Sequence, residues 1–140
     1  MSYYIDTNVF LNVIYKETVL NERSSVFLKK IHAGKLQAMT SSVTLLEIIL
    51  DMIQSGFSEI TEVTVASIED LHNLEIVPLD HTMTKRATDH VIKQKQTIHD
   101  AYHLATATSR KATVFVTRDQ ELSRKVARHM KATVPEKAES

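Results

Sequence analysis

Apolar and polar positions along this chain switch repeatedly between a period of two and a period near 3.6. Tyr3, Tyr4 and Ile5 form a short β-prone run that ends at Asp6-Thr7-Asn8, a polar triplet able to cap a helix over Val9–Tyr15. Val26, Phe27 and Ile31 mark the stripe of a helix over Asn21–His32, which Gly34 stops, and Leu36–Met39 reads as a second strand. Val43, Leu46, Ile49, Leu50 and Ile53 keep helical spacing across Ser42–Gln54, with Gly56 just beyond. A helix over 59–72, a strand Leu74–Val77 closed by Pro78, and helices over Thr82–Gln96 and 98–110 follow. Ala112–Thr117 is the clearest strand, a β-branched and aromatic run leading into a helix over Gln120–Met130, after which only Thr133-Val134 offers a short last strand. Strands separated by helices require crossover connections, so the pattern predicts an α/β fold: a three-layer α/β/α sandwich around a parallel sheet of four to five strands. One domain over 1–134 is expected, with 135–140 as a short polar C-terminal tail.

Composition narrows the options. With 140 residues, 43% of them apolar, the chain is long enough for one core and too short for two. The absence of cysteine removes disulfides, thiol catalysis and iron–sulfur ligation. No apolar run approaches the roughly 20 residues of a membrane span, and no basic-then-apolar segment opens the chain, so a cytoplasmic protein without membrane contact is expected. The formal net charge is zero, which argues against a nucleic-acid partner until the charges are mapped. Residues 1–84 carry 5 basic against 11 acidic side chains, and residues 85–140 carry 12 against 6. Neutrality is therefore the sum of −6 and +6, and the basic half is suited to a polyanion. Within it, Arg124, Arg128 and Lys131 follow helical spacing opposite Leu122, Val126 and Met130.

In an open parallel sheet, ligands bind beyond the carboxyl ends of the strands, which directs attention to the acids placed there. Asp6 follows the first strand, and Asp119 follows the Val114–Thr117 run with only Arg118 between. Glu47 is the one charge in the segment Thr44–Leu50, and Asp100 opens a helix whose neighbours Ile98, Ala101, Leu104 and Ala105 face inward. An isolated carboxylate in apolar surroundings needs a cation or hydrogen bonds to stay ionised. Each acid also has an ordinary explanation as a helix cap: Asp6 and Asp119 are natural N-caps, Thr44–Glu47 spells a capping box, and Thr97–Asp100 is its close relative.

The ordered series Tyr4-Ile5-Asp6-Thr7-Asn8-Val9, Glu47 in an apolar helix, His99-Asp100-Ala101-Tyr102-His103-Leu104-Ala105 and Val116-Thr117-Arg118-Asp119 resembles the motifs of the PIN-domain family. In size and layout it is most similar to the VapC-type toxins of that family, over residues 3 to about 122. The resemblance implies an endoribonuclease whose Asp6, Glu47, Asp100 and Asp119 cluster around one or two Mg²⁺ or Mn²⁺ ions. It further implies that Thr117 orients the site through its hydroxyl and that Asn8 hydrogen-bonds a carboxylate. RNA as substrate, a small antitoxin as partner and a homodimer belong to the same expectation. Hard carboxylate oxygens without a thiolate or histidine set suit Mg²⁺ or Mn²⁺ better than zinc. For a polyanionic substrate, Arg118, Arg124, Arg128, Lys131, Lys85 and Arg86 become candidate phosphate contacts, with Lys93, Lys95 and Arg110 behind them.

Four rival readings can be set against this one. The doublet His99-Asp100, with His72, His81 or His90 upstream and Asp119 downstream, resembles the pattern of HD-type phosphohydrolases, which are all-helical. A non-catalytic PIN-fold domain would bind protein or RNA without cleaving it, and a PIN-like RNA-processing nuclease would share the chemistry without the toxin role. A receiver-like phosphoacceptor domain lacks a second acid beside Asp6 and a late lysine after a strand. The apolar excess of Leu45–Ile53 exceeds one core-facing stripe and suggests a dimer surface.

Overall fold

Side-chain alternation along β1 (Ser2–Ile5) organises the molecule: Tyr3 and Ile5 point to one face of the sheet and Tyr4 to the other. The computed structural model describes residues 1–138. Five strands, β1, β2 (Gln37–Ser41), β3 (Leu74–Val77), β4 (Val114–Val116) and β5 (Lys131–Thr133), form one parallel sheet in the order β3-β2-β1-β4-β5. The helices are α1 (Thr7–Ile14), α2 (Thr18–His32), α3 (Ser42–Gln54), α4 (Ser58–Glu69), α5 (His81–Gln94), α6 (Ile98–Ser109) and α7 (Gln120–Val126).

Two cores result, one on each side. Tyr3, Ile5, Val114 and Val116 pack with Val9 and Phe10 of α1, Phe27 and Ile31 of α2, Ile48 and Met52 of α3 and Ile68 of α4. Tyr4, Met39, Val77 and Phe115 pack with Met83 and Ala87 of α5, Ala101, Leu104 and Ala105 of α6, and Leu122 and Val126 of α7. The three-layer α/β/α sandwich is thus the observed fold, and its five parallel strands overturn the all-helical HD-type alternative. Among the described residues no helix is long and apolar enough to cross a membrane.

Helix α3 spans the residues that the periodicity predicts, whereas other element boundaries differ from it. Helix α3 begins at Ser42 because the Ser41 hydroxyl accepts from the Val43 amide (3.1 Å), so Thr44 caps nothing; it is buried, with its hydroxyl 2.7 Å from that of Thr40. The core face of α3 is Val43, Thr44, Ile48 and Met52, leaving Leu46, Leu50 and Ile53 exposed. Helix α7 is shorter than the periodicity predicts, ending at Val126, so Arg128 lies in the following turn and Lys131 opens β5. The expected single-helix stripe of Arg124, Arg128 and Lys131 is therefore broken. The last strand is Lys131–Thr133, two residues earlier than Thr133-Val134 suggested. Where a loose polar tail is expected after residue 134, Pro135–Lys137 make a 3₁₀ turn, Pro135 and Ala138 are buried, and Ala138 joins the core of α1 and α2. Gly34 and Gly56 sit just past α2 and α3 at φ +83° and +88°, conformations that a side chain would strain.

Sheet order reverses between β1 and β4. The chain leaves β1 towards β2 and returns to the other side of β1 as β4, which opens a crevice at the carboxyl ends of these two strands.

Candidate active site

Asp6 and Thr117 are the first residues beyond β1 and β4, and the register Ile5↔Val116 brings them side by side. The Thr117 hydroxyl donates to Asp6 Oδ2 at 2.7 Å, and the Asn8 amide donates to the same oxygen at 3.1 Å and to Thr117 Oγ1 at 3.2 Å. Asp6 Oδ1 accepts from the Thr7 amide at 2.9 Å, so capping of α1 and membership of this cluster are simultaneous roles. The Asp119 amide donates to Thr117 Oγ1 (3.1 Å), and the Asp119 carboxylate caps α7 by accepting from the Leu122 amide (3.1 Å). Asn8 Oδ1 accepts from the Arg118 amide at 3.2 Å, closing a network that fixes the β4–α7 turn on the start of α1.

Asp100 enters from α6, whose N-cap is Thr97. Burial raises the Asp100 carboxyl above the usual aspartate range, and the charges of Asp6 and Asp119 push it further the same way. Three carboxylates thus share one electrostatic neighbourhood, and His103 only partly offsets burial and repulsion at Asp100.

Glu47 stands differently. Its Oε1 accepts from the Thr7 hydroxyl (2.9 Å) and from His103 Nε2, while His99 Nδ1 is 3.7 Å from Oε2. Burial acts to raise the Glu47 carboxyl, but the hydrogen bond and charge of His103 outweigh it and hold the group below its ordinary value. Burial acts to lower His103, and Glu47, Asp6 and Asp100 overcome that and raise it. The His103 ring is 1% exposed, lies 3.5 Å from Asp6 Oδ1, and meets the Tyr4 hydroxyl at 2.6 Å through Nδ1. In the sequence His103 appears within the His99–Ala105 motif with no role of its own; its role here is partner to the acids, as are those of Tyr4 and Thr7. One signal does point to it: His103 lies three residues from Asp100 on a helix, so the two share a face.

A divalent ion is the group that family resemblance implies for this cluster. The donor chemistry of Asp6, Asp100 and Asp119 fits a hard cation, because all three offer oxygen and their mutual repulsion would be relieved by it. Among the described residues, however, no three acidic or histidine side chains are drawn into a ready coordination shell.

Several candidate phosphate contacts stand apart from this cluster. Arg118 turns inward: its Nε donates to Asn12 Oδ1 (2.6 Å), its Nη2 to Ser24 Oγ (2.9 Å), and its Nη1 pairs with Glu136 (3.0 Å). Its side chain is only 12% exposed, so it ties α1, α2 and the C-terminal turn together and is not free to meet a phosphate. Lys131 pairs in register with Val114, at the amino end of the sheet and opposite the acids. Arg110 pairs with Glu75 (3.3 Å). Arg86 donates to Ser109 Oγ (2.7 Å), about two and a half helical turns along α6 from Asp100. Arg124 is exposed and, with Arg118, Gln120, Ser123 and Val134, lines a hollow of about 360 Å³ that Thr117 and Asp119 also border.

The PIN domain family model matches residues 3–127, and the chain belongs to that family. Solved structures share the fold at low identity. VapBC2 from Rickettsia felis, bound to a DNA fragment from its promoter, is 17% identical with a TM-score of 0.71, covering 95% of this chain and 98% of that one. The sarcin-ricin loop cleaving toxin VapC20 of Mycobacterium tuberculosis is 15% identical with a TM-score of 0.71, covering 88% and 94%. The PIN domain endonuclease Utp24 is 17% identical with a TM-score of 0.55, covering 95% and 84%. No curated protein matches the chain by sequence.

Proposed function

We propose that this chain is an Mg²⁺- or Mn²⁺-dependent endoribonuclease that hydrolyses RNA phosphodiester bonds in the cytoplasm as the toxin of a toxin–antitoxin pair. The observation that carries the reading is the junction at β1 and β4, where Asp6, Thr117 and Asp119 share one hydrogen-bond network and Asp100 lies within the electrostatic reach of both carboxylates. Asp6, Asp100 and Asp119 would hold the metal, with Glu47 beside them. Such an ion activates water for attack on phosphorus and neutralises charge on the leaving oxygen. Thr117 and Asn8 both donate to Asp6 Oδ2 and so orient that carboxylate before substrate arrives. Arg124, exposed beside Asp119, and Lys85, exposed on α5, supply positive charge for the RNA backbone.

Support for the toxin role comes from membership of the PIN family and from likeness to solved VapBC structures. An apolar groove of about 360 Å³ between α1, α2 and α4, with Phe10, Val13, Leu28 and Leu71 in its wall, suits an apolar segment of an antitoxin. Leu46, Leu50 and Ile53 of α3, with Ile60 and Val63 of α4, form the exposed apolar surface suited to a homodimer. A non-catalytic PIN-fold binding domain is the second reading, favoured by the absence of a ready coordination shell among the described residues. Incubation of structured and unstructured RNA with the protein and Mn²⁺, Mg²⁺ or EDTA, beside Asp6→Asn and Asp100→Asn, separates the two. Cleavage that needs the metal and both acids supports the nuclease; binding without cleavage supports the alternative.

A further inference from the structure

Among the described residues His103 is the one imidazole buried inside the site, and three elements meet on it. Tyr4 comes from the central strand β1, His103 from α6 and Glu47 from α3. Both ring nitrogens are used: Nδ1 meets the Tyr4 hydroxyl at 2.6 Å, and Nε2 faces Glu47 Oε1. An ionised carboxylate only accepts hydrogen bonds, so Nε2 carries the proton between them. Tyr4 is itself immobile, fully buried and stacked on Phe115 at 5.0 Å between ring centroids, which makes it a rigid stop behind the imidazole. In front of the ring lie Asp6 Oδ1 at 3.5 Å and the Thr7 hydroxyl at 3.3 Å, and that hydroxyl donates to Glu47 Oε1 as well.

We propose that His103, braced by Tyr4, is a positioning residue that holds the Glu47 and Asp6 carboxylates in the orientation a divalent ion needs, although it touches neither metal nor substrate. Glu47 reaches the site from a helix with no other polar group at its level, since Leu45, Leu46, Ile48 and Ile49 flank it. Without the imidazole, the partners left to its carboxylate among the described residues are the Thr7 hydroxyl and the exposed His99 ring. Groups that orient ligand carboxylates from behind usually matter about 10–100-fold to metal affinity. This inference rests on the metal-dependent reading of the site, but the contact between His103 and Glu47 has a signature that can be read without adding metal.

The test measures Mn²⁺ affinity of the whole chain by electron paramagnetic resonance of free Mn²⁺, with no RNA present. His103→Leu should weaken binding about 10–100-fold, His103→Gln, which restores an amide donor towards Glu47, should recover most of it, and Tyr4→Phe should give a smaller loss. Glu47→Gln and His103→Leu should be non-additive, the double variant losing no more than the worse single one. Thermal unfolding without metal shows which variants fold, and Tyr4→Phe, which loses one oxygen, keeps the test open if His103→Leu does not. In the metal-free wild type, the His103 ring N–H proton should resonate far downfield and shift in Glu47→Gln. Unchanged or tighter Mn²⁺ binding by folded His103→Leu overturns the proposal while leaving the nuclease reading intact. A wild type that binds no Mn²⁺ contradicts both, and additive losses in the double variant show that His103 and Glu47 act separately, which also overturns it.

Discussion

The Thr117 hydroxyl donates to Asp6 Oδ2 at 2.7 Å, joining residues 111 positions apart across the ends of two adjacent parallel strands. The same oxygen of Thr117 accepts from the Asn8 amide and from the Asp119 amide. One side-chain hydroxyl is therefore the common partner of three site residues.

Thr117→Val should expose this dependence. Valine keeps the shape but leaves the Asp6 carboxylate one donor short and the Asp119 amide without its acceptor, while the Asn8 amide keeps only Asp6 Oδ2, a cost of about 1–3 kcal/mol. Denaturant titration of the metal-free chain should show that loss, and Thr117→Ser should recover most of it. Equal stability of the valine variant would mean that water replaces the hydroxyl.

Asp100→Asn should stabilise the metal-free protein at neutral pH while removing nuclease activity. A carboxyl whose value is raised on folding adds stability only below its unfolded value, and that stability is lost as pH rises through the raised value. His103, also raised, loses its contribution in the same direction, whereas Glu47, which is lowered, contributes above its unfolded value and loses that as pH falls. The chain without added metal should therefore lose the Glu47 contribution as pH falls below the ordinary glutamate range, and lose those of Asp100 and then His103 as pH rises past the ordinary ranges of aspartate and histidine. Melting curves across pH check this, with Asp100→Asn expected to lose less stability than wild type as pH rises above the ordinary aspartate range. A larger loss would show that a cationic group outweighs burial and the neighbouring acids at Asp100.

Arg118→Met should unfold far more easily than wild type. It strips donors from Asn12 and Ser24, both buried, and removes the ion-pair partner of Glu136. A loss of about 2–4 kcal/mol follows for a mostly buried, multiply bonded guanidinium. Urea unfolding is the measurement, and a change under about 0.5 kcal/mol would show that Arg118 clasps nothing.

Arg124→Ala should behave in the opposite way, with stability within about 0.5 kcal/mol of wild type. RNA binding should weaken for all sequences alike, and the slope of log K against log salt should shrink by about one. Titrations at several salt concentrations with a catalytically silent background such as Asp6→Asn give the slope. Loss of affinity for one RNA sequence only would instead make Arg124 a base-reading residue.

Much of the fold and site is legible in the amino-acid sequence, for physical reasons that differ by residue. Asp6, Thr117 and Asp119 can be placed together because strand ends in a parallel sheet share one edge, whatever the strand order. Glu47 draws notice because a lone carboxylate in an apolar helix requires a partner, but its partner, His103, lies 56 positions away and no local pattern links the two. Arg118 misleads for a similar reason: next to a site acid it resembles a phosphate contact, and only tertiary packing shows Asn12 and Ser24 claiming its guanidinium. The early end of α7, which carries Lys131 to the far end of the sheet, is hidden because helical spacing persists through Met130 in the sequence after the helix has stopped. The C-terminal turn escapes because its buried residues, Pro135 and Ala138, are small and isolated among polar ones.

Asp6, Asp100 and Asp119 are proposed to form a metal-dependent site for RNA cleavage, and the roles proposed for Glu47, Thr117, Asn8 and His103 depend on it. The most direct measurement is cleavage of a labelled RNA panel by wild type, Asp6→Asn and Asp100→Asn, purified identically and assayed with Mn²⁺, with Mg²⁺ and with EDTA. Wild type should cleave with metal and not with EDTA, and either variant should lose at least about a hundredfold. Equal cleavage by all three proteins, or undiminished cleavage in EDTA, would contradict the proposal.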